Sequence, residues 1–258
     1  MNLRQTRNKE EIFEFLSQSP GLQLYLIGDL DDFFWPHTKW FALYNNARII
    51  SLALLYSGMT PPTLLLFHEG YDDVPKELLK AIIKYLPREL FVQLSPGLLN
   101  VFGKTNIIKD YGRHYRMILE KDPEVINEIN IRRLTLNDIK ALNEIYDDSY
   151  PDNWFDSRML ETGKYFGYFT EEILIGAAGI HVYSPEYRIA ALGNIVTRKE
   201  FREKKIAYKL TSVLCHDLKV SVDTIGLNVK SDNNAAIKCY QNVGFKIRSS
   251  FFEYLVRT

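Results

Sequence analysis

Apolar residues recur along the chain at about 3.6 residues in some stretches and about 2 in others, the periods of helix and strand. Asn8 to Gln18 is predicted helical, with Ile12, Phe13 and Leu16 on one face. Lys39 to Tyr44 and Arg48 to Tyr56 alternate as two strands, and Asn45-Asn46 between them is suitable for a hairpin turn. Thr63 to Phe67 is a third strand, and Pro75 to Leu86 a helix with proline in its first turn. Leu90 to Leu94 and Arg113 to Leu119 are further strands. The polar stretch Lys121 to Glu128, which contains Pro123, reads as a linker. From Ile129 the series starts again: a strand to Arg133, a helix to about Asp147, the turn Tyr150 to Phe155, and a hairpin from Lys164 to Tyr183. A strand from Ile189 to Val196, a helix to about Val220, a strand Thr224 to Val229, a helix Asn233 to Asn242 and a closing strand follow.

Two similar halves are therefore predicted, residues 1–125 and 126–258. Lys39 to Ala53 lies over Lys164 to Ala178 without a gap, with Phe41 on Phe166 and Ile50 on Ile175. The halves differ after their third long strand. Phe67 leads into the acidic His-Glu-Gly-Tyr-Asp-Asp, whereas Val196-Thr197 leads into Arg-Lys-Glu-Phe-Arg-Glu-Lys-Lys.

Composition narrows the function classes. Hydrophobic residues make up 46% and charged residues 25%, as in ordinary soluble domains. The formal net charge of +0 gives no global field toward nucleic acid or anionic lipid, so neither partner is expected. The apolar run Ile49 to Tyr56 is too short to span a bilayer, and the polar N-terminal residues lack a signal-peptide core, so a cytoplasmic setting is expected. Cys215 and Cys239 have no spacing that implies a disulfide framework or a zinc site, and no metal is expected.

The candidate chemistry lies between Gly193 and Ala207. Gly193 inside a strand marks a bulge or a close backbone approach. The basic loop after Thr197 meets a helix whose apolar residues are Ile206, Leu210, Val213, Leu214 and Leu218. Such a helix start presents unpartnered N–H groups and partial positive charge, a seat for phosphate. Neither a Walker lysine motif nor a three-glycine dinucleotide fingerprint is present. Arg202-x-x-Lys205-x-Ala207 resembles the acyl-CoA loop of the GNAT superfamily of N-acyltransferases, with Lys205 where the family usually has glycine. Asn233-x-x-Ala236-Ile237-x-x-Tyr240-x-x-x-Gly244-Phe245 resembles the motif that follows that loop, at six positions. By physics alone this second stretch is a capped helix with a glycine stop.

The resemblance covers roughly Ile129 to Thr258. It implies an α+β fold with a mixed sheet, a GNAT domain in the C-terminal half and a degenerate GNAT-like copy in the N-terminal half, as in tandem-GNAT proteins. Acetyl-CoA is the implied acyl donor and an amine the acceptor. Ile195, Val196 and Thr197 would pair with the pantetheine arm. Arg202, Glu203, Lys204, Lys205, Ile206, Ala207 and Tyr208 would hold the pyrophosphate, and Asn233 would contact the cofactor. Tyr240 would protonate the leaving thiolate. Tyr150, Asp152 and Trp154 would form an acceptor wall, two aromatic faces and a counter-charge suited to a cation. A general base is not apparent: His181, on the hairpin strand, reads as structural, and no catalytic triad or paired-carboxylate spacing appears. Two other readings stay open, a CoA-sensing or protein-binding module without catalysis and an aminoacyl transferase.

Overall fold

The computed structural model describes residues 1–70, 73–151 and 153–258. It divides into two compact units, Met1–Arg116 with Arg248–Thr258, and Met117–Ile247.

The first unit contains β1 (Asn2–Thr6), α1 (Lys9–Leu16), α2 (Leu24–Gly28), β2 (Thr38–Asn45), β3 (Arg48–Tyr56), β4 (Thr63–Leu66), α3 (Val74–Ile82), β5 (Glu89–Leu94) and most of β6 (Ile107–Leu119). The second contains β7 (Ile131–Arg133), α4 (Ile139–Ser149), β8 (Phe166–Thr170), β9 (Ile173–Ser184), β10 (Ile189–Thr197), α5 (Ile206–Leu218), β11 (Thr224–Lys230) and α6 (Asn234–Val243). The closing strand, β12 (Phe245–Arg257), begins in the second unit. Each unit is a mixed α/β sheet with helices, in the order β1-β2-β3-β4-β5-β12 in the first and β11-β10-β9-β8-β7 in the second.

The division at about residue 125 placed all of the closing strand in the C-terminal half; the compact units place Arg248–Thr258 with the first. The physical reason is non-local pairing. Phe252 to Arg257 run antiparallel to Leu94 to Glu89 of β5. Tyr254 and Val256 are buried in the first unit's core with Phe41, Leu64, Leu78, Leu79 and Val92. Burying a single valine contributes about 1.5–3 kcal/mol, so residues 1–125 alone lack part of their own core.

The duplicated hairpins agree in detail. The β2–β3 turn is Asn46-Ala47 and the β8–β9 turn is Glu171-Glu172, and all four residues have positive φ. Two successive positive φ values belong to the tight hairpin turn whose twist matches its strands. Each hairpin also carries a register shift, between Leu43 and Tyr44 in one and between Tyr168 and Phe169 in the other. The gapless alignment equates these positions as well as the turns. The first turn lies one residue later than expected, because Asn45 pairs with Arg48.

In the second unit α5 buries Ile206, Leu210, Leu214 and Leu218, the predicted stripe apart from Val213. Gly176 on β9 admits this packing, since a Cβ there would come within 2.6 Å of Ile206. That contact sets where the start of α5 sits beside the end of β10.

Candidate active site

β10 is the axis of the site. It runs parallel to β11 from Ile189↔Thr224 to Leu192↔Leu227, and among the described residues the pairing stops there. β10 nevertheless continues to Thr197 and β11 to Lys230. Among the described residues Ile195, Val196 and Thr197 thus have no β11 partner, while Val196 and Thr197 still pair with Ala177 and Gly176 of β9. Thr197 Oγ1 is buried without a hydrogen-bond partner among the described residues, an unmet polar atom at the end of that edge.

Beyond Thr197 a tight turn, Lys199–Phe201, leads to Lys205 at the cap of α5. Lys205 has φ +60° and ψ 17°, the left-handed conformation, which explains why glycine suits this position. No side chain caps the helix, and its first turn closes with Lys209 N–H donating to the Lys205 carbonyl. The amides of Ile206, Ala207 and Tyr208 therefore precede the intrahelical ladder, as a phosphate seat requires. The basic cluster is divided. Arg198 is committed to backbone, its Nε donating to the Leu174 carbonyl at 2.8 Å. Arg202, Glu203, Lys204 and Lys205 are exposed around the helix start. Lys209 is paired with Glu128, and the Tyr208 hydroxyl donates to Glu124 at 2.7 Å.

Asn233 caps α6, its Oδ1 accepting from Ala236 N–H at 3.1 Å. Gly244 ends the helix with φ +123°, and a Cβ there would lie 2.8 Å from the Lys121 carbonyl oxygen. On α6 Val243 is buried, whereas Ala236, Ile237 and Tyr240 stay half-buried. Tyr240 is thus no core aromatic, although its ring meets the Phe245 ring edge-on at 6.1 Å. α5 and α6 pack against each other, which brings the loop and the Tyr240 helix together.

The segment assigned to the acceptor wall docks on β10. Trp154 N–H donates to Asn194 Oδ1 at 3.2 Å, and the Phe155 ring lies 5.2 Å from Tyr146 and 5.7 Å from Tyr165. Trp154 is half-exposed and Tyr150, at the end of α4, is half-buried. Asp152, the predicted counter-charge, lies outside the described residues.

Two bulges build the centre of the site, and sequence reasoning located only their glycine. Between Ala191↔Val182 and Leu192↔Ile180, β9 has one extra residue, His181. Between Gly193↔Gly179 and Val196↔Ala177, β10 has Asn194 and Ile195 opposite Ala178 alone. Bulges re-aim side chains, and these bring His181 Nε2 within 3.2 Å of Asn194 Oδ1. Gly193 is required for close approach as well as for the bulge, since a Cβ there would lie 2.1 Å from the His181 ring. Asn194, buried with φ +54°, accepts a hydrogen bond from the Tyr146 hydroxyl at its carbonyl and donates through Nδ2 to the Tyr165 hydroxyl. Its signal in the sequence was an asparagine directly after the strand glycine, since asparagine tolerates positive φ.

Among the described residues of the first unit the equivalent strands do not part. β4 and β5 pair to Leu66↔Leu94 and stay tied beyond it. Ser95 N–H donates to the Leu66 carbonyl at 3.1 Å, and Ser95 Oγ accepts from His68 N–H at 3.0 Å. The following helix, α3, has Asp73 at its cap position, and the Asp73 carboxylate pairs with Lys76, so an acidic group stands where α5 has Lys205. Part of the acidic connection, Tyr71 and Asp72, lies outside the described residues.

Other chemistry finds little support. Cys215 is buried, which pushes its thiol far up, and burial raises Cys239 to about 11. Neither is a thiolate at neutral pH. Among the described residues no group of three or more His, Cys, Asp or Glu could hold a metal ion. Among the described residues no helix is long and apolar enough to cross a membrane.

A strand that parts from its parallel neighbour, followed by an uncapped helix start, is the arrangement that the resemblance to the GNAT superfamily implies. Residues 131–245 match the family model described as the Acetyltransferase (GNAT) family, and the chain carries a GNAT domain. No curated protein matches the sequence. Among solved structures, a GNAT-family acetyltransferase from Colwellia psychrerythraea matches with TM-score 0.60 at 14% identity, covering 100% of both chains. A Drosophila protein matches with TM-score 0.73 at 12% identity, covering 99% of this chain and 98% of its own. A tandem GNAT protein from the clavulanic acid biosynthesis pathway matches with TM-score 0.57 at 12% identity, over 99% of this chain and 98% of its own. At these identities the likeness is one of fold, over the whole chain.

Proposed function

We propose that the protein transfers an acetyl group from acetyl-CoA to a primary amine, by direct attack within a ternary complex. The observation that carries this reading is the parting of β10 from β11 ahead of the uncapped start of α5. Ile195, Val196 and Thr197 would pair with the pantetheine arm, and the unmet Thr197 hydroxyl fits a polar occupant there. The amides from Arg202 to Tyr208 would hold the pyrophosphate, with Lys205 adding charge and Asn233 a contact from α6. The amine nitrogen bonds to the thioester carbon, the carbon–sulfur bond breaks, and Tyr240 gives a proton to the departing thiolate. The high thiol positions of Cys215 and Cys239 favour direct attack over an acyl-cysteine intermediate. Tyr150, Asp152 and Trp154 would receive the acceptor, a small amine. A cytoplasmic setting belongs to the same reading, with both cysteines free.

A CoA-binding module without turnover is the second reading, favoured by Lys205 at a strained position that glycine would fill. Free-thiol release from acetyl-CoA over a panel of small amines separates the two. Turnover with any amine supports the transferase, whereas acetyl-CoA binding without thiol release supports the module.

A further inference from the structure

We infer that His181 accepts the proton of the attacking amine at its Nδ1 atom, with Asn194 as the positioning residue that fixes the ring. The inference rests on the transferase reading and adds to it the base that the sequence did not reveal.

The hydrogen-bond network decides which imidazole nitrogen is open. Trp154 N–H can only donate, so the Asn194 atom it meets is the carbonyl oxygen. Asn194 Nδ2 accordingly faces the Tyr165 hydroxyl at 2.9 Å, and that hydroxyl donates onward to the Ile180 carbonyl at 2.9 Å. His181 Nε2 also meets Asn194 Oδ1, an atom without a proton, so Nε2 carries the hydrogen. Nδ1 then holds the lone pair. Among the described residues it forms no hydrogen bond, and it is not among the buried unpartnered atoms, so it keeps some exposure.

Placement supports the role. His181 is the extra residue of the β9 bulge and lies flat over Gly193, directly before the residues proposed for the pantetheine arm. Asn194, which holds it, also holds the backbone of Trp154. The ring therefore shares its Asn194 anchor with the proposed acceptor wall and lies beside the strand proposed for the pantetheine arm. The titratable groups around this network are Tyr165 and Tyr146 with Tyr150 and Asp156 near them; none of these is hydrogen-bonded to the ring. Burial lowers the His181 pKa and the Asn194 bond opposes that in part, leaving an imidazole that is neutral at pH 7.

The proton count closes. The amine gains its bond to the carbonyl carbon and gives one N–H proton to Nδ1, the carbon–sulfur bond breaks, and the thiolate takes a proton from Tyr240. Solvent exchange then returns His181 to neutral and Tyr240 to the phenol.

The test uses the full chain in two measurements. In long-range proton–nitrogen NMR, with the His181 signals assigned by their loss in His181→Gln, the neutral ring should carry its hydrogen on Nε2 and titrate below the ordinary histidine range. A hydrogen on Nδ1, or a charged ring at pH 7, overturns the assignment. In kinetics, His181→Gln should lower kcat by about 10²–10⁴-fold and abolish the ascending histidine limb of kcat/KM against pH, with acetyl-CoA affinity within about two-fold. Added imidazole should restore part of the rate to His181→Ala. Wild-type turnover with an unchanged His181→Gln profile overturns this role alone. No wild-type thiol release with any amine overturns the transferase reading and this role with it.

Discussion

Lys205→Gly should stabilise the fold while weakening acetyl-CoA binding. Lys205 sits at φ +60°, ψ 17°, with its side chain exposed and no capping bond. The left-handed conformation costs a non-glycine residue about 1–2 kcal/mol. Glycine removes that strain but widens the unfolded ensemble, an offset of about 0.4–1 kcal/mol. The net gain is about 0.5–1 kcal/mol, and for a chain of this size it raises Tm by roughly 1–4 °C. Lys205→Ala is the control: it removes the same ammonium and keeps the strained φ, so its Tm should not rise. Both variants should bind acetyl-CoA about 3–10-fold more weakly, with a flatter salt dependence, because an exposed charge near the proposed pyrophosphate is lost. Lys209→Ala should do less, since that ammonium is held by Glu128. Calorimetric melts and titrations at two ionic strengths provide both readouts. Equal Tm shifts in the glycine and alanine variants would refute the strain argument, and unchanged affinity in both would make the basic run a solvated surface.

Tyr240→Phe should lower kcat by about 10²-fold or more with little change in acetyl-CoA affinity, because the role proposed for its hydroxyl is to donate as charge grows on sulfur; an unchanged rate reduces Tyr240 to packing. Trp154→Ala and Asp152→Ala should each raise the acceptor KM several-fold with acetyl-CoA binding intact, measured by steady-state kinetics, and no kinetic change removes the segment from the site. Asp138→Asn should cost about 1–3 kcal/mol at pH 7 in urea melts. The Arg132 guanidinium, at 2.7 and 3.0 Å, holds the Asp138 carboxyl below its usual range, with help from the Thr135 amide. A lowered folded pKa gives stability that is full above the unfolded carboxylate pKa and lost as pH falls through the folded one. The gap between wild type and Asp138→Asn should therefore shrink below about pH 4.

What was legible in the sequence was local. The apolar stripe of α5 apart from Val213, a capped start for α6 and its Gly244 stop are each written within a few consecutive turns, and each stands where the sequence pattern put it. The duplicated hairpin was legible because Lys39 to Ala53 aligns without a gap on Lys164 to Ala178, although its first turn lies one residue later than expected. What depended on distant pairing was hidden. Nothing near Phe252 to Arg257 announces that they pair with β5, more than a hundred and fifty residues earlier. The junction of His181 and Asn194 arises from two bulges on different strands, so His181 seemed an isolated strand histidine. The Ser95–His68 tie that keeps β4 and β5 together is likewise made by residues 27 apart.

The central claim is that acetyl-CoA binds once per chain, at β10 and the start of α5. Because Arg248–Thr258 complete the first unit's core, the measurement belongs to the intact chain rather than to separated halves. Isothermal titration with acetyl-CoA should give one site. Ala207→Glu, which sets a carboxylate among the amides at the start of α5, should weaken binding at least tenfold, while Ser95→Ala in the first unit leaves it unchanged. Two sites per chain, or binding that survives Ala207→Glu and is lost in Ser95→Ala, would contradict the account.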